Sequence, residues 1–329
     1  MLRNTGVRSK QLKSWIDFLL PVQLNDKVLS NIKEFNPIVI YTQAYSYIML
    51  KYVNKLSKKL SCPVVIHTLD DWMETQYKKG VLSAIPIVAF NNLFKSILNN
   101  GMNHMVASPK MEEFMHKKYG GNYTFVINCC GYPPYKCNNK SQIMKVVYAG
   151  GLMLERYLIL DEIAKCINML NSVNVRFELH IYAPLSHIQG YKDLMQREII
   201  FHKSVKHEEV FNILTGSDIL VHVESFNPNV IKFTKYSLST KIPEYTAAAR
   251  PLIYFGPMNI GVAEFLIENK IGISVDSIKG LEQQLLLLYQ DDEYYEAVAF
   301  EAYSKGKGYF DIRVMQSQIN RCLKSRSEL

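Results

Sequence analysis

Short, wholly apolar runs alternate along this chain with longer stretches in which apolar residues recur every three or four positions. "PIVIYT" (Pro37–Thr42), "PVVIHTL" (Pro63–Leu69), "HMVASP" (His104–Pro109) and "YTFVINC" (Tyr123–Cys129) are the first four runs. They are apolar throughout rather than on alternate residues, as strands of a parallel sheet covered on both faces are. Helical stretches are predicted between them, near Tyr47–Leu60 and Met111–Lys118. Gly131–Gln142, "GYPPYKCNNKSQ", has no period and reads as a linker. The pattern then restarts. Strands are predicted at Lys145–Gly151, Phe177–Ala183, Glu198–Lys203, Asp218–Val223, Pro251–Gly256 and Gly272–Asp276. Helices are predicted near Leu158–Leu170, Glu208–Leu214, Ile278–Tyr289 and Asp292–Gly306. Strand–helix alternation on both sides of a linker predicts an α/β chain of two Rossmann-like, doubly wound lobes. Ligands of such lobes sit at the carboxyl ends of the strands.

Composition narrows the picture only a little. With 329 residues, 48% of them hydrophobic, the chain can bury one or two ample cores. No apolar run reaches the ~18 residues of a membrane span, and no secretory leader is expected at the N-terminus. The six cysteines form no CxxC pair and no zinc-like cluster, so reduced thiols and no metal are expected. The net charge of +8 favours an anionic partner. The basic residues are scattered, apart from Lys51, Lys55, Lys58 and Lys59, and no nucleic-acid motif accompanies them. Nucleotide phosphates or an acidic lipid surface are therefore expected rather than nucleic acid.

Candidate chemistry lies where predicted strands end. In "YAGGLMLERY", Gly150 and Gly151 bare their backbone amides before a helix, and Arg156 can fork onto an anion. In "YSLSTKIPEYTAAARP", Ser239, Thr240 and Lys241 precede a helix expected to start near Lys241 or Pro243, and Glu244 follows inside it. These residues suit a phosphate and a sugar's vicinal hydroxyls, or equally a capping box with Thr240 as the cap. Glu224 closes the strand "DILVHV", and the segment Ser225–Tyr236 after it reads as a long basic loop. In the first lobe, "HTLDDWMETQY" offers His67, Asp70 and Asp71 for acceptor hydroxyls or proton transfer. Tyr77–Leu98, an apolar stretch flanked by lysines, reads either as a core helix broken by Pro86 or as a peripheral membrane contact.

Together "VVYAGGL" with Arg156, "SDILVHVESF", "SLSTKIPEYTAAARPLIYFGP" and the strand "GISV" resemble the retaining family 4 glycosyltransferases of the GT-B fold. The resemblance implies two lobes facing a cleft. Residues 1–140 would form an acceptor-side lobe, incomplete because the usual opening strand and glycine loop are not seen. Residues 141–308 would form a donor lobe, and 309–329 a helix returning to the first. It implies that Glu244 holds the donor ribose and that Ser239, Thr240 and Lys241 sit at the diphosphate, with Gly150, Gly151 and Arg156 opposite. It also implies that Glu224 takes part in donor binding, and that His67 and Asp71 serve catalysis with Arg156 and Lys241. Relatives often place a second glutamate where this chain has Tyr236. The expected activity is metal-independent, retaining transfer from a nucleotide-sugar to a glycan or lipid-linked acceptor. No cofactor is expected, and the setting is surface polysaccharide synthesis in the cytoplasm, on the inner face of the membrane. A non-catalytic sugar-nucleotide or glycan-binding subunit is the alternative. A nucleotide-sugar epimerase would need further cleft acids and histidines that the sequence does not place.

Overall fold

The computed structural model describes residues 5–71, 84–136, 139–196 and 198–324. The chain divides into two compact units, residues up to 127 with those from 316 onward, and residues 128–315.

The first unit holds a parallel sheet in the order β1 (Ile40–Thr42), β2 (Val64–Thr68), β3 (Asn103–Val106), β4 (Asn122–Phe125). Every residue of β2 is buried, as its unbroken apolar run predicts. The helices Tyr47–Leu60 and Pro109–Tyr119 start on serine caps, Ser46 accepting from Met49 N and Ser108 from Met111 N. Pro86 does not break the helix Ala84–Leu98. It lies in the first turn, where no amide is needed, and Phe90, Phe94, Ile97 and Leu98 bury the inward face. Two helices, Thr5–Leu19 and Asp26–Phe35, precede β1 and were not anticipated. Lys51 Nζ donates to Phe18 O (3.0 Å) and Leu20 O (2.6 Å), and Lys55 Nζ to Val22 O (2.8 Å). Half of the lysine cluster is therefore spent on the carbonyls where the first helix ends.

The second unit holds a six-stranded parallel sheet. Its strands are β5 (Met144–Ala149), β6 (Phe177–Ala183), β7 (Ile200–Lys203), β8 (Ile219–Val223), β9 (Leu252–Phe255) and β10 (Ile273–Val275). The spatial order is β10-β9-β8-β5-β6-β7. The chain builds outward from β5 in one direction, then returns to β5's other side with β8. The strand order reverses between β5 and β8, and a crevice at the carboxyl ends of these two strands is the natural place for a ligand. Val146, Ile181, Val221 and Ile253 are fully buried at the centre of the core.

Two buried charges brace this unit through backbone groups. Asp218 accepts from Ser141 N (2.9 Å) and Lys145 N (2.8 Å), fixing the entry to β5. Arg250, 1% exposed, donates to the carbonyls of Thr215, Ser217 and Ala249 and has its charge dispersed over them. The segment read as a linker is packed rather than free. Tyr132 Oη bonds Thr246 Oγ1 at 2.6 Å, and Cys130 Sγ reaches Pro243 O at 3.3 Å. Burial pushes the Cys130 thiol up to about 12, so it is inert. Residues 128–136 thus belong to the second unit, whereas the sequence set the boundary after residue 140. Cys62, Cys129, Cys130, Cys166 and Cys322 are all free. Among the described residues no helix is long and apolar enough to cross a membrane.

Candidate functional site

The reversal between β5 and β8 brings most of the predicted residues of the second unit together. β5 runs out into Gly150 and Gly151, and Gly150 N donates to Tyr182 O at 2.8 Å. Neither glycine has a positive φ, so what is needed here is space. A Cβ on Gly150 would overlap the Lys241 side chain and lie 2.7 Å from its Nζ; one on Gly151 would lie 3.2 Å from the His187 ring. The lysine stem therefore lies directly across the end of β5, with Nζ 5.5 Å above the centre of the Tyr148 ring. Burial and the charge of Arg156 push the Lys241 ammonium down to about 8.

Leu154 and Glu155 follow, both in the left-handed region (φ 59° and 58°), and the helix Arg156–Asn171 begins at once. Such strain persists only where surrounding bonds hold it. Here the Glu155 carboxylate accepts from Ser225 Oγ and Asn227 Nδ2, both at 2.8 Å, tying this loop to the one after β8. Arg156 then points at the end of β8, its Nη2 2.7 Å from Glu224 Oε1.

Glu224 is 2% exposed. Burial pushes its carboxyl up, but His222 and the Arg156 guanidinium more than reverse this and keep it below the usual carboxylate range. Two residues earlier on the same side of β8, His222 is fully buried with Nε2 3.3 Å from Glu224 Oε1, and burial lowers its pKa. Arg156 Nε, His222 Nδ1 and Glu224 Oε2 are buried without a hydrogen-bond partner, and His222 Nε2 has only its 3.3 Å contact with Glu224. Such atoms are rare in proteins, and here three of them share one spot.

The helix that carries Glu244 spans Ile242–Ala247, with Lys241 as its cap residue and no side-chain capping bond. Thr240 is thus not the cap; it is exposed, and Ser239 Oγ accepts only the long 3.4 Å contact from Lys241 N. Tyr245 Oη accepts from Ala149 N at 2.8 Å, pinning this helix to β5. The Glu244 side chain, 28% exposed, lies 3.5 Å from His207 Nδ1. It edges a cavity of about 260 Å³ with a mostly apolar lining, formed by Gly150, Gly151, Tyr182, Pro184, Val205 and Ile213 among others. The basic loop expected over Ser225–Tyr236 is largely a helix, Pro228–Thr234, begun by an Asn227 cap and a proline in its first turn.

His67 and Asp71 lie in the first unit, both 8% exposed. His67 Nε2 donates to Val126 O (2.9 Å), which leaves Nδ1 to accept from Tyr41 Oη (2.8 Å). Burial lowers its pKa. Both ring nitrogens are occupied, which is the pattern of a structural histidine rather than the proton-transfer role read from the sequence. Trp72 and Tyr77, and the start of the apolar stretch that follows, lie outside the described residues.

Sequence reasoning missed His222, Glu155 and the cavity. The first had a signal, a lone histidine inside the apolar run "DILVHV", two residues from Glu224.

No family model matches the sequence, and no curated protein resembles it at the sequence level. Solved structures do resemble it in fold. A glycosyltransferase from Rickettsia africae aligns over 98% of this chain and 95% of its own, with TM-score 0.68 and 13% identity. Anabaena Alr3699/HepE, solved with UDP-glucose, aligns over 92% and 82% with TM-score 0.64 and 17% identity. Sucrose-phosphate synthase from Thermosynechococcus elongatus aligns over 92% and 80% with TM-score 0.59 and 12% identity. The fold is GT-B.

Proposed function

We propose that this chain is a glycosyltransferase whose second unit binds a nucleotide-sugar donor. The observation that carries this is the junction at Gly150. An apolar cavity edged by Glu244 meets there a cradle in which Arg156 and Lys241 face a single buried carboxylate, Glu224. The base enters the cavity, Glu244 accepts the two ribose hydroxyls, and the diphosphate lies against Gly150 and Gly151 under Lys241 and Arg156. Breakage of the sugar–phosphate bond leaves negative charge on the nucleoside diphosphate. Two cations fixed beforehand in a water-poor site stabilise that charge as it develops. They supply the positive charge such a departure needs, in keeping with metal-independent, retaining transfer. Asp71 is the acceptor-side carboxylate of this reading, and a glycan or lipid-linked acceptor of a surface polysaccharide at the inner membrane face is its setting. Structural similarity to the HepE complex makes a UDP-sugar the first donor to test.

Calorimetry with UDP, GDP and their sugars tests the reading. Binding that weakens by about tenfold or more in Glu244→Ala is expected, since two hydrogen bonds to a charged group are lost. If no nucleotide binds at millimolar concentration, the reading falls. The occupied nitrogens of His67 favour a second reading, a donor-binding subunit that turns over only with a partner chain. Sugar transfer or donor hydrolysis by the purified protein alone excludes it.

A further inference from the structure

Tyr182, on the cavity wall, is the last of a connected row of side chains across β6 and β7. Its ring lies against the His202 ring, centroids 4.3 Å apart and planes within 10°. That is offset stacking at close range. His202 Nε2 lies 2.9 Å from His180 Nδ1. These two rings are parallel within 5°, but their centroids are 5.2 Å apart, the separation of imidazoles lying side by side and joined nitrogen to nitrogen. His180 Nε2 lies 3.1 Å from Glu178 Oε2. A carboxylate only accepts, so His180 Nε2 carries hydrogen and donates to Glu178. His180 Nδ1 then offers a lone pair and takes the Nε2 hydrogen of His202. The whole row is thereby fixed in rotation as well as position, from Glu178 through both histidines to the tyrosine.

Period-2 alternation explains how the row arises. Glu178, His180 and Tyr182 share the half-exposed face of β6, while Phe177, Leu179, Ile181 and Ala183 fill the core. His202 meets them from β7, directly opposite Tyr182 in register. A polar row of this kind is not needed to hold the sheet, which is secured by the apolar face.

We propose that His202 is a positioning residue for the donor base: it fixes the Tyr182 ring as the flat wall on which the base of the nucleotide-sugar stacks. This rests on the donor-site reading above and extends it to residues that do not touch the cavity. Held by Glu178 and His180, His202 keeps Tyr182 in one rotamer before the nucleotide arrives, so less freedom is lost on binding. Burial, and His180 beside it, lower the His202 pKa, so at neutral pH the ring is uncharged and its bond to His180 is intact.

The test is titration of UDP and GDP into the wild type, His202→Ala, His202→Phe and His180→Ala, with a melting curve for each. His202→Ala is expected to weaken binding about threefold to tenfold, the scale of one aromatic pair. His202→Phe, which keeps a flat ring but no nitrogen, is expected to restore most of it. With a UDP-sugar donor, KM rises in His202→Ala while kcat holds, as for a contact made equally in ground and transition states. His180→Ala, which keeps the His202 ring but frees its rotation, is expected to fall between wild type and His202→Ala, and it serves if His202→Ala does not fold. Equal affinity in wild type and folded His202→Ala overturns the proposal, and so does a folded His202→Phe as weak as the alanine variant. If the wild type binds neither nucleotide, the donor-site reading itself fails and takes this inference with it.

Discussion

The surroundings of His67 in the first unit and of Glu224 in the second treat their buried polar groups in opposite ways. In the first, His67 sits among backbone and side-chain partners that use both of its nitrogens. In the second, Arg156 Nε, His222 Nδ1 and Glu224 Oε2 are buried and unpaired, and Lys241 lies across a strand end with its ammonium pushed down to about 8. A protein leaves such groups unsatisfied at a cost of about 1–3 kcal/mol each. A ligand that completes the set would offset that cost, as the proposed donor does. Polarity alone marks neither region as a site; what separates them is whether the protein has already answered it.

That contrast can be broken by experiment. The largest effect is expected from Arg156→Ala, which strands Glu224 as an unpaired buried charge. A loss of about 3–5 kcal/mol in denaturant unfolding is expected, partly recovered when Glu224→Gln is added. A loss below about 1 kcal/mol would show that the pair is already open to water. Next, Lys241→Met should lower turnover about 100- to 1000-fold, the scale of one missing charge-stabilising group. Its folded pKa lies below the ordinary 10.5, so its charge costs stability at pH 7, and that cost is relieved as pH rises from about 8 towards 10.5. The variant should therefore melt higher than wild type at pH 7, by a margin that shrinks above pH 8. A variant that is both inactive and less stable would make Lys241 structural. Third, His67→Phe should cost about 1–3 kcal/mol by leaving Val126 O and Tyr41 Oη unpaired, with nucleotide affinity unchanged. An unshifted melting curve with collapsed turnover would return His67 to the chemistry and end the contrast. Smallest is the pH effect on affinity. A bound diphosphate favours charged Lys241, so binding should be level below pH 8 and about tenfold weaker at pH 9 than at pH 7. A flat profile would mean that the lysine does not meet the phosphates.

Much of the frame was legible because buried parallel strands announce themselves. "DILVHV" and "FELHIYA" were read within a residue or two of β8 and β6. The helices Leu185–Tyr191 and Gly261–Glu268 were not, being too short for a clear period. At the site, Gly150, Lys241, Glu224 and Glu244 were legible by residue type and position at strand or helix ends. The cap reading of Thr240 missed by one residue, because a capping position is chosen by backbone geometry and Lys241 takes it. The cavity was invisible because Tyr182, Val205 and Ile213 meet only after folding. The partners of His67 were hidden for the same reason, since both are distant in sequence.

The hydrogen that stands in for a side chain at Gly150 has a hereditary consequence. Any larger residue there meets the far end of the Lys241 side chain, which must then shift, so a mutation at 150 is felt at 241. The two positions are coupled although 91 residues apart (241 − 150) in the chain. In a library that randomises both, a larger residue at 150 is expected to go with a shorter one at 241, and clones that keep Lys241 in its place keep the glycine.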